Sequence, residues 1–367
     1  MSRNEELLPE LLHNLVEANS IEDLSSEQIL SSFKTDPLLQ NIPDHGKLSI
    51  DPRSEEPIIY NPSRASRPHD YPVDGDKKIE CPICAGNSTG ILDLAELQDG
   101  FTFINKNLYP VINLPGLQGG VQTASPKGLH LLQWTSSIHD RDWHNLPDED
   151  CVIVLSRLAV LEKKLLSVSR DIGGLGSQNH PSSQCDWYIS IIKNVGSAVG
   201  GSLEHGHQQI VLGDIAPRRI INNQKFLDQH GQNFAAYLQT KNPISLLVRD
   251  YGPAVLLVCE FMRRPYEMVL LLKDTQKSYL HEMDRSEMES IALGWKHASQ
   301  AIRKLMPTMN KEVAYNVITH NGPGAGLYFE FLPYTQEQGG LEQLGLSICQ
   351  MGPAQAAQDI RAQLGLD

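Results

Sequence analysis

Gly200-Gly201-Ser202-Leu203-Glu204-His205-Gly206-His207-Gln208-Gln209-Ile210 is the stretch on which the reading of this chain turns. Two histidines flank a glycine, and a Gln-Gln pair then runs into the apolar Ile210-Val211-Leu212. Alternate residues of a strand point to one face. His205, His207 and Gln209 are therefore expected on one face, with Gly206 and Gln208 on the other. Gly200, Gly201 and Ser202, just upstream, can offer exposed backbone N–H groups and a hydroxyl, a concavity that suits phosphate. An imidazole beside such a cradle points to nucleophilic attack on phosphorus. In isolation, the same pattern reads as a glycine turn with two surface histidines, and the rest of the chain has to separate the two readings.

Working outward, the chain has 367 residues, enough for two domains or one duplicated domain, and 40% of them are hydrophobic, as in a globular protein. The formal charge of −13 argues against a general nucleic-acid binder. It leaves room for a small phosphorylated substrate, which a local pair of arginines can hold. No apolar run approaches 18 residues, so no membrane span is expected. The first residues lack the basic and apolar regions of a signal peptide. Six cysteines in a chain of this length do not form a disulfide scaffold. Cys151, Cys185, Cys259 and Cys349 read as core thiols, and a reducing cytoplasm fits best.

Taken in order, residues 1–50 read as a helical extension without chemistry. Leu7, Leu8, Leu11, Leu12 and Val16 have helical spacing over Glu5–Ala18, and a short helix is expected over Ser26–Phe33. A short strand follows within Asp51–Pro62. Arg64 and Arg67, beside Pro68, form a rigid pair of forks suited to a phosphate or nucleotide. Cys81-Pro82-Ile83-Cys84 is half of a typical zinc site, and with no second C-x₂-C the remaining ligands must be histidines. A redox pair would open a helix after a strand, and this one stands among polar residues. His139 and His144 are both candidate ligands.

Strands are expected at 101–106 and 129–134, with a glycine-rich loop between them through Gly120. A helix is expected over Asp148–Arg170, opened by acidic residues, then a glycine- and serine-rich loop over 171–186. Trp187–Asn194 reads as a strand with the histidine strand as its hairpin partner. The second half repeats this order: a helical stretch over Arg219–Thr240, strands near 244–250, 253–261 and 267–273, a helix over Ser286–Leu305, then strands at 313–319 and 327–333. Asn194 and His207 stand as far apart as Asn316 and Phe329. If the halves correspond, Phe329 takes the place of His207 and only the first half carries a nucleophile.

Together these segments resemble the galactose-1-phosphate uridylyltransferase family of the histidine-triad superfamily, from about Asp51 to the C-terminus. Ser63-Arg64-Ala65-Ser66-Arg67-Pro68 resembles the family's arginine segment near the nucleotide, Cys81–Asn87 its zinc knuckle, and Asn107-Leu108-Tyr109-Pro110 its Asn-x-aromatic-Pro segment. Asn194 through Gln209 resembles the catalytic signature His-Pro-His-x-Gln, with Gly206 in place of proline. The resemblance implies an α+β fold of two tandem histidine-triad-like halves, each an antiparallel sheet with packed helices. Residues 51–215 would form the catalytic half and 216–367 a degenerate one. It implies His207 as nucleophile, Gln209 as phosphoryl-binding amide, and Cys81, Cys84, His139 and His205 as ligands of a structural Zn²⁺. Arg64, Arg67, Asn107, Asn194, Gly200, Gly201 and Ser202 would bind substrate.

The implied reaction is transfer of a nucleotide from a nucleoside diphosphate sugar through a covalent nucleotidyl-histidine to a sugar 1-phosphate, in the manner of UDP-glucose:hexose-1-phosphate uridylyltransferases. Phosphorolysis of ADP-glucose or a diadenosine polyphosphate, with phosphate as acceptor, is the competing reading, and a non-catalytic nucleotide-binding relative is a third. No nucleic acid or membrane partner is expected, and the resemblance implies a homodimer. Two departures stand out. Leu327-Tyr328-Phe329-Glu330-Phe331 lacks the histidine pair of the family's second metal site, and Gly345-Leu346-Ser347 replaces an aromatic and an acid on the sugar-phosphate side.

Overall fold

The computed structural model describes residues 6–12, 14–40, 47–70, 80–114, 126–173, 187–322 and 324–366. Its chain separates into two compact units. The first comprises Met1–Arg141, Ser156–Ile191 and His205–Asn222, and the second Asp142–Leu155, Ile192–Glu204 and Asn223–Asp367. Helix α2 (Asp148–Gly173) and strand β6 (Tyr188–Val195) each give residues to both.

In the first unit, β1 (Lys47–Ile50) and β2 (Pro57–Tyr60) form a separate antiparallel hairpin. The main sheet runs β3 (Ile91–Glu96), β4 (Phe101–Lys106), β5 (Gly128–Trp134), β7 (His207–Gly213), then β6. The pairings β3–β4, β4–β5 and β5–β7 are all antiparallel. The register of β5 on β7 sets Trp134 opposite His207, Leu132 opposite Gln209 and His130 opposite Val211. Because side chains alternate along a strand, these six share one face. Gln133 and Gln208 pair on the other face through a 3.1 Å side-chain hydrogen bond.

The second unit carries β8 (Leu247–Asp250), β9 (Ala254–Leu257), β10 (Met268–Leu272), β12 (Tyr328–Pro333) and β11 (Tyr315–His320) in that spatial order. Strand by strand this is the order of the first unit. Each is an antiparallel meander of three strands, a long helix, and a hairpin whose second strand docks on the third strand of the meander. The long helix here is α5 (Arg285–Thr308), opened by an Asp284–Glu287 capping box. It approaches β10 so closely that a Cβ on Gly294 would lie 2.4 Å from Leu270 Cδ1. Phe329, the counterpart of His207 by spacing, is fully buried with its ring 5.2 Å from Trp295. The remaining helices are α1 (Ser26–Thr35), α3 (Arg218–His230), α4 (Phe234–Lys241), α6 (Gly340–Gln343) and α7 (Pro353–Gln363). The architecture is α+β, and among the described residues no helix is long and apolar enough to cross a membrane.

Two expectations fail for identifiable reasons. Over Glu5–Ala18 the described residues form only a 3₁₀ turn at Pro9–Leu11. Several of their N–H groups reach distant carbonyls instead of continuing a helix: Leu7 N–H donates to Ser137 O at 2.9 Å and Glu17 N–H to Ile91 O at 2.9 Å. The leucine spacing serves burial of Leu7 and Leu12 beneath that segment. The helical stretch over Arg219–Thr240 is two helices, because Gly231 turns left-handed at φ 65° and Asn233 caps α4 through Ala236 N–H. Strands β1 and β3 and helix α7 were not anticipated. Of the lone cysteines read as core thiols, Cys151 and Cys259 are buried, Cys349 is half-buried and Cys185 lies outside the described residues. Most of the loops read through Gly120 and over 171–186 also lie outside them.

The first fifty residues are not peripheral to the first unit. Lys106, at the end of β4, has a fully buried side chain whose ammonium meets Glu17 at 2.6 Å, Asp36 at 2.8 Å and Ser32 O at 3.0 Å. Burial pushes the Asp36 carboxyl up, but the Lys106 hydrogen bond and charge, with Gly90 and Leu38 N–H, bring it below its ordinary value. Removing one partner of a buried ion pair leaves an uncompensated charge. Asp36→Ala should therefore cost about 3 kcal/mol in urea unfolding, and Glu17→Gln, at the more exposed partner, less than about 1 kcal/mol. The Asp36 contribution should be complete above the ordinary carboxyl pKa of 3.8 and fade as pH falls through the lowered native value.

Candidate active site and metal centre

Cys81 and Cys84 lie on a tight knuckle, closed by Ala85 N–H to Cys81 O at 3.1 Å and Asn87 N–H to Pro82 O at 2.8 Å. Gly86 turns left-handed at φ 79° to complete it. His139 follows β5, and His205 stands two residues before β7. The ligand atoms of Cys81, Cys84, His139 and His205 all lie within 4.8 Å of one another. Sulfur-to-nitrogen separations are 3.5 Å from Cys84 to His205 Nδ1, 3.7 Å from Cys81 to His205 Nδ1 and 3.7 Å from Cys84 to His139 Nδ1. Tetrahedral coordination with ordinary thiolate and imidazole bond lengths needs sulfur-to-nitrogen separations of about 3.5–3.6 Å, close to these three, so the four residues could hold a metal ion. His205 Nε2–H donates to Ser136 O at 2.7 Å, leaving Nδ1 to face the sulfurs. The Cys81 thiol is pulled far below its ordinary range, first by its hydrogen bond with Cys84 and then, against burial, by His139 and His205. His144, the other candidate ligand, is not in the cluster and falls in the second unit.

His207 opens β7, 7% exposed, with Nδ1 2.8 Å from the carbonyl oxygen of His205. Only a protonated Nδ1 can make that bond, so the neutral ring carries its lone pair on Nε2. The Trp134 ring packs against both histidines, 4.8 Å from His207 and 5.3 Å from His205. Trp134 is held in turn by Nε1–H donation to Asn105 Oδ1 at 3.0 Å.

Two positions along the same face lies Gln209, and on the paired strand, opposite Val211, lies His130, a residue the sequence reading missed. His130 is 1% exposed. Burial first, then the charge of Arg64, pushes its pKa down to about 3, so the ring is neutral. Asn107 folds its own segment, accepting Tyr109 N–H at 2.8 Å through Oδ1. Arg64 donates to Tyr109 O at 2.5 Å, and Asn61 to Pro110 O at 2.9 Å. Burial and then the like charge of Arg67 lower the Arg64 pKa to about 10. Among the ion pairs of the described residues neither arginine has a carboxylate partner. Two adjacent guanidiniums, one of them desolvated, favour an incoming anion.

Asn194, Gly200, Gly201 and Ser202 belong to the second unit. There Asn194 Oδ1 accepts from Asn316 Nδ2 at 2.8 Å. The N–H groups expected to be exposed in the glycine turn are consumed within it: Gly200 donates to Ser197 O at 3.1 Å and Gly201 to Gly196 O at 3.0 Å. The chain folds back on Gly196, whose φ of 90° points its carbonyl into the turn.

The donor set makes a direct prediction. Elemental analysis should find one tetrahedral, thiolate-favouring divalent ion per chain, lost in Cys81→Ser/Cys84→Ser. The melting temperature should fall with it, because a four-ligand site contributes to folding.

No protein-family model matches the chain. In sequence it is 23% identical over 311 residues to the ADP-glucose phosphorylase of Arabidopsis thaliana, covering 79% of this chain and 82% of that protein. It is 28% identical over 181 residues to the galactose-1-phosphate uridylyltransferase of Thermotoga maritima, a match that spans 47% of this chain and 48% of the relative. Among solved structures it resembles a uridylyltransferase with a TM-score of 0.65 and 19% identity, covering 87% of this chain and 98% of that one. An ADP-glucose phosphorylase from Arabidopsis thaliana with bound ADP-glucose gives a TM-score of 0.60 at 20% identity, covering 86% and 98%. In sequence the chain is thus similar to two nucleotidyltransferases, an ADP-glucose phosphorylase and a galactose-1-phosphate uridylyltransferase, and it shares its fold with solved structures of both kinds.

Proposed function

We propose that this protein transfers a nucleotide from a nucleoside diphosphate sugar through a covalent nucleotidyl-His207. The observation that carries the reading is the 2.8 Å bond from His207 Nδ1–H to the His205 carbonyl, which sets the ring's lone pair on Nε2. In the first step Nε2 attacks the α-phosphorus. The bond to the bridging oxygen breaks and sugar 1-phosphate leaves with the electron pair. A phosphate oxygen of the acceptor then attacks the same phosphorus, and His207 leaves. Imidazole suits both steps, being nucleophilic when neutral and a good leaving group when protonated. The Gln209 amide would donate to a non-bridging oxygen as charge builds there. Arg64 and Arg67 would hold the diphosphate.

The ion in the Cys81–Cys84–His139–His205 cluster would be Zn²⁺, with a structural role, since four protein ligands leave no open position. For the acceptor, the longer sequence match, over 311 residues, is to an ADP-glucose phosphorylase, which favours inorganic phosphate acting on an ADP-sugar. The shorter match is to a uridylyltransferase, which favours a hexose 1-phosphate acting on a UDP-sugar.

Intact-protein mass spectrometry with ADP-glucose or UDP-glucose, without acceptor, should show one added nucleotide on an acid-labile bond. The substrate that labels the protein names the base, and release by phosphate or by a hexose 1-phosphate names the acceptor. His207→Gly should abolish the adduct while retaining the fold and the metal, since no ligand is removed. An adduct of equal yield in His207→Gly would place the nucleophile elsewhere.

A further inference from the structure

Strand register lines up one side chain from each of three strands. Phe103 on β4 stands opposite Trp134 on β5, and Trp134 stands opposite His207 on β7. The indole at the centre of this row is fully buried. Phe103 stacks on it with centroids 6.0 Å apart and planes at 21°, and the His207 ring lies 4.8 Å away at 39°. That inclination is nearer to stacked than to edge-on, so the π cloud of the indole faces the imidazole. His205 meets the same indole edge-on, at 5.3 Å and 86°. A chain of hydrogen bonds fixes the indole. Ser88 Oγ–H donates to Thr89 O at 3.1 Å and Thr89 Oγ1–H to Lys106 O at 2.5 Å, so both hydroxyl oxygens are left to accept. They accept from the Asn105 NH₂ at 2.8 Å and 3.1 Å, which turns Asn105 Oδ1 to the indole Nε1–H at 3.0 Å.

We infer that Trp134 stabilises, through its π face, the positive charge that the His207 ring acquires when it takes the nucleotide. The inference rests on the nucleotidyl-transfer reading and adds what offsets the charge of the covalent ring in a buried site. Nδ1 already carries a proton, bonded to the His205 carbonyl. When Nε2 bonds to phosphorus its lone pair enters the new bond, and the ring becomes an imidazolium. The bond from phosphorus to the bridging oxygen breaks with its electron pair on the sugar 1-phosphate, and no proton moves. The ring is almost out of solvent, where a charge is costly unless it is matched. The His205 carbonyl at Nδ1–H and the indole face beside the ring both offset it. Tryptophan has the most favourable face for a cation, and the centroid separation lies inside the reach of about 6 Å for such a contact. Holding Nε1–H on Asn105 keeps the negative face of the indole, and not its positive edge, toward His207. The stabilisation is lost when the acceptor attacks and the ring returns to neutral, so Trp134 favours formation of the adduct over its reversal.

The test places mono-, di- and tetrafluorotryptophan site-specifically at position 134. Fluorine withdraws charge from the π face while nearly preserving the size of the indole and its N–H, so the packing is retained. With radiolabelled ADP-glucose or UDP-glucose and varied glucose 1-phosphate, the equilibrium between free enzyme and adduct is measured together with the rates of formation and reversal. The adduct equilibrium constant should fall stepwise as fluorines are added. Trp134→Leu should lie about 30-fold below the wild type, and Trp134→Phe between the two. The loss should divide between slower formation and faster reversal. Binding of the nucleoside diphosphate should change little, because the ring of the free enzyme is neutral. A merely structural disturbance would slow both directions and track the melting temperature. An equilibrium constant that stays flat across the fluorinated series, or formation and reversal slowed alike in it, would overturn the inference, even where Trp134→Leu fails to fold. A normal wild-type adduct with a flat series overturns the inference alone. Absence of any adduct in the wild type would overturn the nucleotidyl-transfer reading, and the inference with it.

Discussion

The hydrogen bond from His207 Nδ1–H to the carbonyl of His205 joins the two halves of the site. On one side of it, His205 turns Nδ1 to the Cys81 and Cys84 sulfurs and gives its Nε2–H to Ser136. On the other, the proton held on Nδ1 puts the lone pair of the neutral His207 ring on Nε2. The magnitudes say which side governs. A tetrahedral ion on two thiolates and two imidazoles contributes on the order of 10 kcal/mol, while one neutral hydrogen bond contributes about 1 kcal/mol. With an ion bound, the cluster would set the backbone at His205, and that backbone would set the tautomer of His207. Trp134, packed against both rings, resists rotation of either.

The electrostatics of the site run against those of the chain. The protein as a whole carries a formal charge of −13, yet Arg64 and Arg67 lie together near His130, each acting on its protonation. Recognition of a phosphorylated ligand is thus a local matter. Burial and the two arginines keep His130 neutral, and a neutral ring beside them avoids a third positive charge that would distort the field around the phosphoryl group. Where the first unit does bury a lysine, at Lys106, it supplies two carboxylates for it, both from the first fifty residues. Those residues lie outside the reach of the family resemblance, and they still help build the strand that leads into Asn107.

Much of this was legible beforehand because it depends on local rules. Alternation placed His207 and Gln209 on one strand face, acidic residues marked the start of α2, and the Cys81–Cys84 knuckle declared the kind of ion it could take. The failures come from hydrogen-bond partners, near or distant, that residue spacing does not reveal. The leucines of Glu5–Ala18 have helical spacing, but their backbone is drawn to Ser137 and Ile91. The Gly200-Gly201 turn looked like a source of N–H donors, but Gly196 and Ser197 consume them. Nothing near His130 in sequence marks it, since its partners Asn107 and Val111 arrive together from another segment.

By itself, then, the sequence determined the residue types that can bind a metal and attack phosphorus, their alternation along a strand, and the repeated order of strands and helix. Periodicity and short spacings carry those facts. Tertiary structure decided which histidine joins the cysteines and which ring nitrogen of His207 keeps its lone pair. The first depends on contacts across tens of residues and the second on the backbone conformation at His205, and strand register, which no local pattern specifies, determines whether the distant partners meet.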